Sequence, residues 1–217
     1  MRVFLDTANI DQIRQVVKLG VISGITTNPS LVSKEGLADY KAAVKEICSI
    51  IPGPVSAEVL TEEAQAMIEQ ARDISTWAPN VVIKIPVTPE GLEVTSTLVK
   101  ENIKVNCTLC FSGNQALLAA RAGAAYISPF VGRLDDLGYD GMRLVQDIVD
   151  IYNKYDDIHT EVIAASIRHP EHCIRAARIG SDIATVPYDV LMQMIKHPLT
   201  DIGVARFLSD WRRVSQR

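Results

Sequence analysis

The sequence predicts a single (β/α)₈ barrel, and three features of its 217 residues carry that prediction. Short apolar or β-branched runs recur at 3–7, 24–27, 55–60, 81–87, 104–109, 124–131, 161–167 and 182–186. Segments of helical periodicity separate them, and strands that alternate with helices pair in parallel, because each crossover carries the chain back along the sheet. The turn after the first run, Asp6-Thr7-Ala8-Asn9, lacks the G-x-G-x-x-G that a doubly wound sheet usually shows there. A barrel needs roughly 200 residues at least, so this chain leaves room for few insertions.

The connecting segments carry their own signals. Gly20, Gly123 and Gly180 each sit where a helix should end, shortly before the next strand. Thr88-Pro89 places a capping hydroxyl ahead of a proline at the first helical position. Ser112-x-x-Gln115 reads as a capping box. After the eighth run, 188–196 reads as a helix and 201–216 as an extra one. No Pro/Gly/Ser linker or low-complexity segment interrupts the chain, so 1–217 is expected to be one domain.

Composition excludes several function classes. Hydrophobic residues make up 47% and charged residues 22%, an ordinary globular balance that can fill one sizeable core. A net charge of −4, without single-sign runs, gives no electrostatic footprint for nucleic acid. No apolar stretch approaches the roughly 20 residues needed to span a bilayer. The opening Met1-Arg2-Val3-Phe4-Leu5-Asp6 meets a carboxylate too early for a secretory leader, so the cytoplasm is the expected compartment. Cys107 and Cys110 form a C-x-x-C, yet no second thiol pair follows at zinc spacing, and an odd separation on a strand should send them to opposite faces. They read as small buried hydrophobes.

Chemistry in such barrels lies at the C-terminal ends of the strands, where polar residues would otherwise be out of place. The runs end in Asp6, then Thr26 and Asn28, then Glu58, Lys84, Asn106 and Thr108, Ser128, and finally Ser166 and Arg168. The pairs Asn106/Thr108, Ser128/Phe130 and Ser166/Arg168 are two apart, which puts both members on one face of a strand and suggests a lined pocket. Lys84 stands in Val81-Val82-Ile83-Lys84-Ile85-Pro86-Val87, apolar on both sides. Desolvation there favours the neutral amine, a nucleophile toward carbonyls. The other reading is a lysine that snorkels to water or pairs with a carboxylate. Asp6 and Glu58 suit proton transfer in imine chemistry, or else serve as structural ion-pair partners of Lys84. Arg168, beside the Ser166 hydroxyl, and Arg133 after the sixth run suit a phosphate, or else pair with Asp135 or Asp136 in solvent. His169 and His172 stand three apart at a helix start without an obvious third ligand, and are expected to be solvated. Trp77 and Trp211 are expected to be packing residues.

These residues carry a family resemblance over essentially the whole chain. The sequence resembles the small-form transaldolases, within the transaldolase and fructose-6-phosphate aldolase group. The most specific pieces are Gly24-Ile25-Thr26-Thr27-Asn28-Pro29-Ser30 and Val82-Ile83-Lys84-Ile85-Pro86-Val87-Thr88. Asn106-Cys107-Thr108-Leu109, Ser128-Pro129-Phe130-Val131-Gly132-Arg133 and Ala165-Ser166-Ile167-Arg168 complete them. The resemblance implies a Schiff base between Lys84 and the carbonyl of a donor ketose. By the same resemblance Asp6 would take the proton that drives C–C cleavage, and Glu58 would act through a water positioned with Thr108. Asn28, Asn106 and Ser128 would hold hydroxyls of a dihydroxyacetone unit, in a pocket also lined by Thr26 and Phe130. Arg133, Ser166 and Arg168 would bind phosphate. No metal or organic cofactor is implied, because the imine is itself the electron sink. The substrates would be sugar phosphates of pentose phosphate interconversion. The resemblance also extends to ring-shaped pentamers and decamers, in which the helix within 201–217 would reach a neighbour.

Two positions bear on transfer against simple aldol cleavage. The fructose-6-phosphate aldolases are similar to this chain but carry tyrosine where it has Phe130 and glutamine where it has Glu58. Their glycine-containing motif on the fifth strand is replaced here by Asn106-Cys107-Thr108. A phenol near the imine could help release the three-carbon unit, whereas phenylalanine cannot, so transfer is the expected activity. The alternatives are a class I aldolase, a non-covalent phosphate-binding isomerase with Lys84 as an electrostatic clamp, and a non-catalytic scaffold.

Overall fold

The computed structural model describes residues 1–36 and 39–215. Eight strands close a parallel barrel in sequence order: β1 (Arg2–Asp6), β2 (Gly24–Thr26), β3 (Val55–Glu58), β4 (Val81–Pro86), β5 (Val105–Cys110), β6 (Tyr126–Pro129), β7 (Glu161–Ala164) and β8 (Ile183–Pro187). Helices α1 (Ile10–Val17), α2 (Pro29–Lys34), α3 (Tyr40–Ile50), α4 (Ala64–Ser75), α5 (Pro89–Lys100) and α6 (Gly113–Arg121) follow the first five strands. The second half carries α7 (Val131–Asp135), α8 (Gly141–Tyr152), α9 (Pro170–Ile179), α10 (Tyr188–Ile195) and α11 (Pro198–Ser215). Pairing of β1 with both β2 and β8 closes the cylinder. Among the described residues, no helix is long and apolar enough to cross a membrane.

Alternation along the strands divides the side chains between two cores. Outward positions such as Leu5, Ile25, Val55, Ile83, Ile85, Val105 and Ile127 bury against the helices. Inward positions low in the barrel form a separate cluster of Phe4, Val82, Tyr126, Ile163 and Ile183. This cluster is a floor. Gly24 on β2 makes room for it, since a Cβ there would lie 2.6 Å from the Phe4 ring. Burial of a side chain the size of Phe4 contributes about 1.5–3 kcal/mol.

Several local expectations hold. Thr88 caps α5 through the Gly91 N–H, with Pro89 in the first turn, and Gly180 ends α9 in the left-handed region at φ 87°. Ser112 caps α6 through the Gln115 N–H, but the Gln115 side chain returns to the Phe111 N–H, one residue ahead of a capping box.

Others are corrected. The sixth and seventh strands are shorter than the runs 124–131 and 161–167 suggest. β7 ends at Ala164, Ser166 takes a left-handed φ of 58°, and its carbonyl accepts the Gly132 N–H at 3.0 Å. Ser166 and Arg168 are therefore loop residues, not two positions on one strand face. Cys107 and Cys110 share the outer core, because Leu109 at φ 55° shifts the register between them and resets the alternation. Burial pushes their thiols up to about 11 and about 12, so both are inert hydrophobes at neutral pH. Trp77 packs edge-on against Tyr40, whereas Trp211 on α11 is 68% exposed and is no core residue. The extra helix begins three residues earlier than expected, at Pro198, and the expected terminal residue Gln216 lies outside the described residues.

Candidate active site

Two residues above the floor, the inward positions turn polar. Phe4 gives way to Asp6, Val82 to Lys84, Tyr126 to Ser128 and Ile183 to Thr185. The parallel register sets Glu58 beside Lys84 and Lys84 beside Asn106, so three neighbouring strands deliver their polar ends at one level.

Lys84 is 4% exposed. Its Nζ donates to the Thr27 carbonyl at 3.1 Å and lies 3.1 Å from Glu58 Oε2. The Thr27 main chain is pinned in turn, since its N–H and its hydroxyl both donate to the Ser56 carbonyl. Glu58 is held through its backbone by Tyr40, whose hydroxyl accepts the Glu58 N–H at 2.8 Å. An amine that gives up its proton here has a carboxylate in direct reach.

Asp6 occupies the opposite wall. Its Oδ1 accepts the Thr26 hydroxyl at 2.7 Å, and the Thr185 hydroxyl lies 2.5 Å from that of Thr26. Thr26 has one proton and gives it to Asp6, so Thr185 must be the donor in the second bond. Burial pushes the Asp6 carboxyl above the ordinary carboxylate range; Lys84 and the Thr26 bond oppose this and Glu58 reinforces it. A carboxyl raised in this way holds its proton more tightly than an exposed one.

A second network crosses β3, β5 and β6. Asn106 Nδ2 donates to Ser56 Oγ at 3.1 Å, and Asn106 Oδ1 accepts the Ser128 hydroxyl at 2.8 Å, which fixes the orientation of the amide. Thr108 is fully buried, and among the described residues its Oγ1 has no partner. A buried hydroxyl is rarely left so.

The rim is built from the loops after β6 and β7. Phe130 packs edge-on against Phe111, and the Arg133 guanidinium lies over the Phe130 ring, 5.6 Å from its centroid. Arg168 pairs with Asp136 at 2.9 Å in a largely exposed contact, which contributes little by itself. Arg133 and Arg168 both line the cleft that has Lys84 and Asp6 at its base.

A family model described as Transaldolase/Fructose-6-phosphate aldolase matches residues 3–217. The chain belongs to this family. A protein of Dehalococcoides mccartyi named "Probable transaldolase" is 62% identical over 217 residues, all of both chains. Proteins of the same name from Caldicellulosiruptor saccharolyticus and Methanococcus maripaludis are 59% and 54% identical, again over the full length of both chains.

In this member of the transaldolase/fructose-6-phosphate aldolase family, the cleft gathers Asp6, Thr26, Asn28, Lys84, Ser128, Phe130, Arg133, Ser166 and Arg168. Asn28 has a second task, because its Oδ1 caps α2 through the Leu31 N–H. Glu58, Asn106 and Thr108 are not among the residues that line the open cleft; Glu58 stands against Lys84, Asn106 against Ser128, and Thr108 is buried. Sequence reasoning missed Thr185, Tyr40 and His172. Thr185 lies inside an apolar strand run and Tyr40 in a helix, where neither stands out from its neighbours in sequence. His172 overturns the expectation of a solvated pair: it is 3% exposed, pairs with Asp135 at 3.0 Å and stacks on His169. Its burial comes from the short helix α7, whose five residues are too few to show a period in sequence.

Proposed function

We propose that this protein is a transaldolase. It transfers a dihydroxyacetone unit from sedoheptulose 7-phosphate or fructose 6-phosphate to glyceraldehyde 3-phosphate or erythrose 4-phosphate, through an imine on Lys84. The observation that carries this reading is a buried lysine amine in contact with a carboxylate, at the base of a cleft whose rim holds two guanidinium groups. The amine loses its proton to Glu58 and attacks the ketose carbonyl; the resulting carbinolamine loses water to give the imine. Glu58 works through a water positioned with Thr108. Asp6 takes the proton of the C4 hydroxyl as the C3–C4 bond breaks, and an aldose phosphate leaves. The enamine that remains attacks the acceptor aldehyde, and Asp6 returns the proton to the new hydroxyl oxygen. Water then hydrolyses the imine. Arg133, Ser166 and Arg168 bind the phosphate of donor and acceptor, and Asn28, Asn106 and Ser128 the hydroxyls of the transferred unit, with Thr26 and Phe130 closing the pocket.

Phe130 favours transfer over release, because its ring offers no proton to the enamine while it supports Arg133 from below. The variant F130Y keeps the ring and adds a phenol, and should raise release of free dihydroxyacetone in the absence of acceptor. The setting for this chemistry is pentose phosphate interconversion in the cytoplasm. The chain forms one domain over 1–217 whose final helix joins copies into rings, a role supported by the outward Ile202, Phe207, Trp211 and Val214 of α11, each over 60% exposed.

Reduction of the enzyme with borohydride in the presence of fructose 6-phosphate, followed by peptide mapping, tests the covalent step. A dihydroxyacetone-sized adduct on the peptide that contains Lys84 is expected. Saturable binding of the sugar phosphate without any adduct would return Lys84 to the part of an electrostatic clamp.

A further inference from the structure

His172 lies outside the cleft, yet it joins the two segments that carry the rim arginines. Its Nδ1 accepts the Arg168 backbone N–H at 3.3 Å, and its Nε2 faces Asp135 Oδ2 at 3.0 Å. A nitrogen that accepts a backbone N–H carries no proton, so the single proton of the neutral ring sits on Nε2 and points at Asp135. Desolvation by burial, with His169 and Arg175 on the same helix, lowers the His172 pKa against the opposing pull of Asp135, which favours this neutral form.

Helix α7 forms the other half of the bracket. Gly132 is the bed on which Arg168 lies, since a Cβ there would come within 2.6 Å of Arg168 Cγ and 2.3 Å of the Ser166 carbonyl. Arg133 follows it, Asp135 engages His172, and Asp136 engages the Arg168 guanidinium. Asp135 also accepts the Gly141 N–H at 2.9 Å, which ties it to the start of α8. Arg168 stands two residues after Ser166, whose left-handed backbone persists only where its surroundings enforce it.

We propose that His172 is a positioning residue for phosphate recognition: with Asp135 it clamps α7 to the segment after β7 and so sets the spacing of the Arg133 and Arg168 guanidiniums. The clamp selects phosphorylated over unphosphorylated sugars and takes no part in the imine chemistry. It rests on the reading of Arg133 and Arg168 as the phosphate site.

The test uses the full-length protein and its variants H172F, H172N, D135A and R168A. Measured for each are the KM and kcat for fructose 6-phosphate, inhibition by inorganic phosphate, and the rate of borohydride trapping with unphosphorylated dihydroxyacetone. H172F removes both ring nitrogens, and between about a tenfold and a hundredfold rise in KM is expected, the range that follows a misplaced binding group. The phosphate inhibition constant should rise in parallel, while kcat and the trapping rate stay within about twofold, the pattern of lost uniform binding. H172N offers an amide oxygen near the Nδ1 position and should recover most of the lost affinity. D135A removes the partly exposed end of the clamp, together with the acceptor for the Gly141 N–H, and should give the same signature at smaller size, which keeps the test open if H172F fails to fold. If R168A raises KM while folded H172F and D135A leave it unchanged, the phosphate site stands and the clamp is overturned. Equal losses on phosphorylated and unphosphorylated substrates would also overturn it. If R168A leaves KM and phosphate inhibition unchanged, the phosphate site fails and the clamp with it.

Discussion

Floor and mouth of the barrel lie two residues apart on the same strands, and they obey different physics. At the floor, Phe4, Val82, Tyr126, Ile163 and Ile183 fill the interior with apolar surface. At the mouth, Asp6, Lys84, Ser128 and Thr185 replace them on the same strand faces. Every group on the floor lowers the free energy of the fold. Several at the mouth raise it: a buried ion pair, a carboxyl pushed above its usual range, and Leu109 and Ser166 in left-handed backbone. A fold held by its floor can keep an unfavourable mouth, so substitutions at the two levels should separate stability from turnover.

The largest effect should come from Lys84→Ala. Removal of the amine eliminates the proposed nucleophile, and among the described residues no other lysine lines the cleft, so turnover should fall by at least about 10³-fold. The barrel should still form, with circular dichroism and oligomeric state unchanged. A folded K84A enzyme with ordinary turnover would remove covalent chemistry from the mouth altogether.

Asp6→Asn should cost turnover by about 10²–10⁴-fold, the range for a lost acid–base group, and yet stabilise the fold. The folded Asp6 carboxyl holds its proton more tightly than the unfolded one, whose pKa is near the ordinary aspartate value of 3.8. Its contribution to stability is therefore fully present below that value and is lost as pH rises through the folded pKa. At pH 7, where the unfolded carboxyl is ionised, the buried side chain is a net cost, and asparagine removes it. Thermal melts should place D6N above the parent at pH 7, with the gap narrowing as the pH falls. A D6N protein that melts below the parent at neutral pH would mean that attraction to Lys84 outweighs desolvation.

The same contrast explains what could be read from the sequence. Strand-borne mouth residues were legible, because period two and an apolar frame make Lys84 or Asn106 conspicuous, and the register then brings them together. Rim residues were legible only as types. Ser166 and Arg168 reach the cleft, but through a left-handed turn that no periodicity announces. His172 looked solvated because its burial depends on α7. The C-x-x-C faces were misjudged because a leucine gives no sign that it will adopt positive φ. Tertiary context decided each of these.

Floor substitutions should behave in the opposite way to those at the mouth. Gly24→Ala would set a methyl 2.6 Å from the Phe4 ring, and overpacking of this kind costs about 1–3 kcal/mol. A lower denaturant midpoint with an unchanged m-value and unchanged kcat per folded molecule is expected. A fall in kcat without a change in midpoint would show that the floor sets the geometry of Lys84, and the division between the levels would be wrong.

The smallest and sharpest case is Ser166→Gly, because it separates strain from chemistry at one residue. The left-handed backbone of Ser166 costs about 1 kcal/mol or more, which glycine does not incur. Glycine returns part of that gain through the greater entropy of its unfolded chain, so the net is expected below about 1 kcal/mol, a rise in Tm of at most about 2–4 °C for a domain of this size. The hydroxyl is lost at the same time, and with it one of the proposed donors toward phosphate, so KM for the phosphorylated donor should rise several-fold while kcat holds. A more stable S166G with a raised KM would show that the mouth keeps a strained residue for the sake of binding. A less stable S166G would mean that the serine side chain anchors the turn, and the strain at φ 58° would then be a consequence of that anchor.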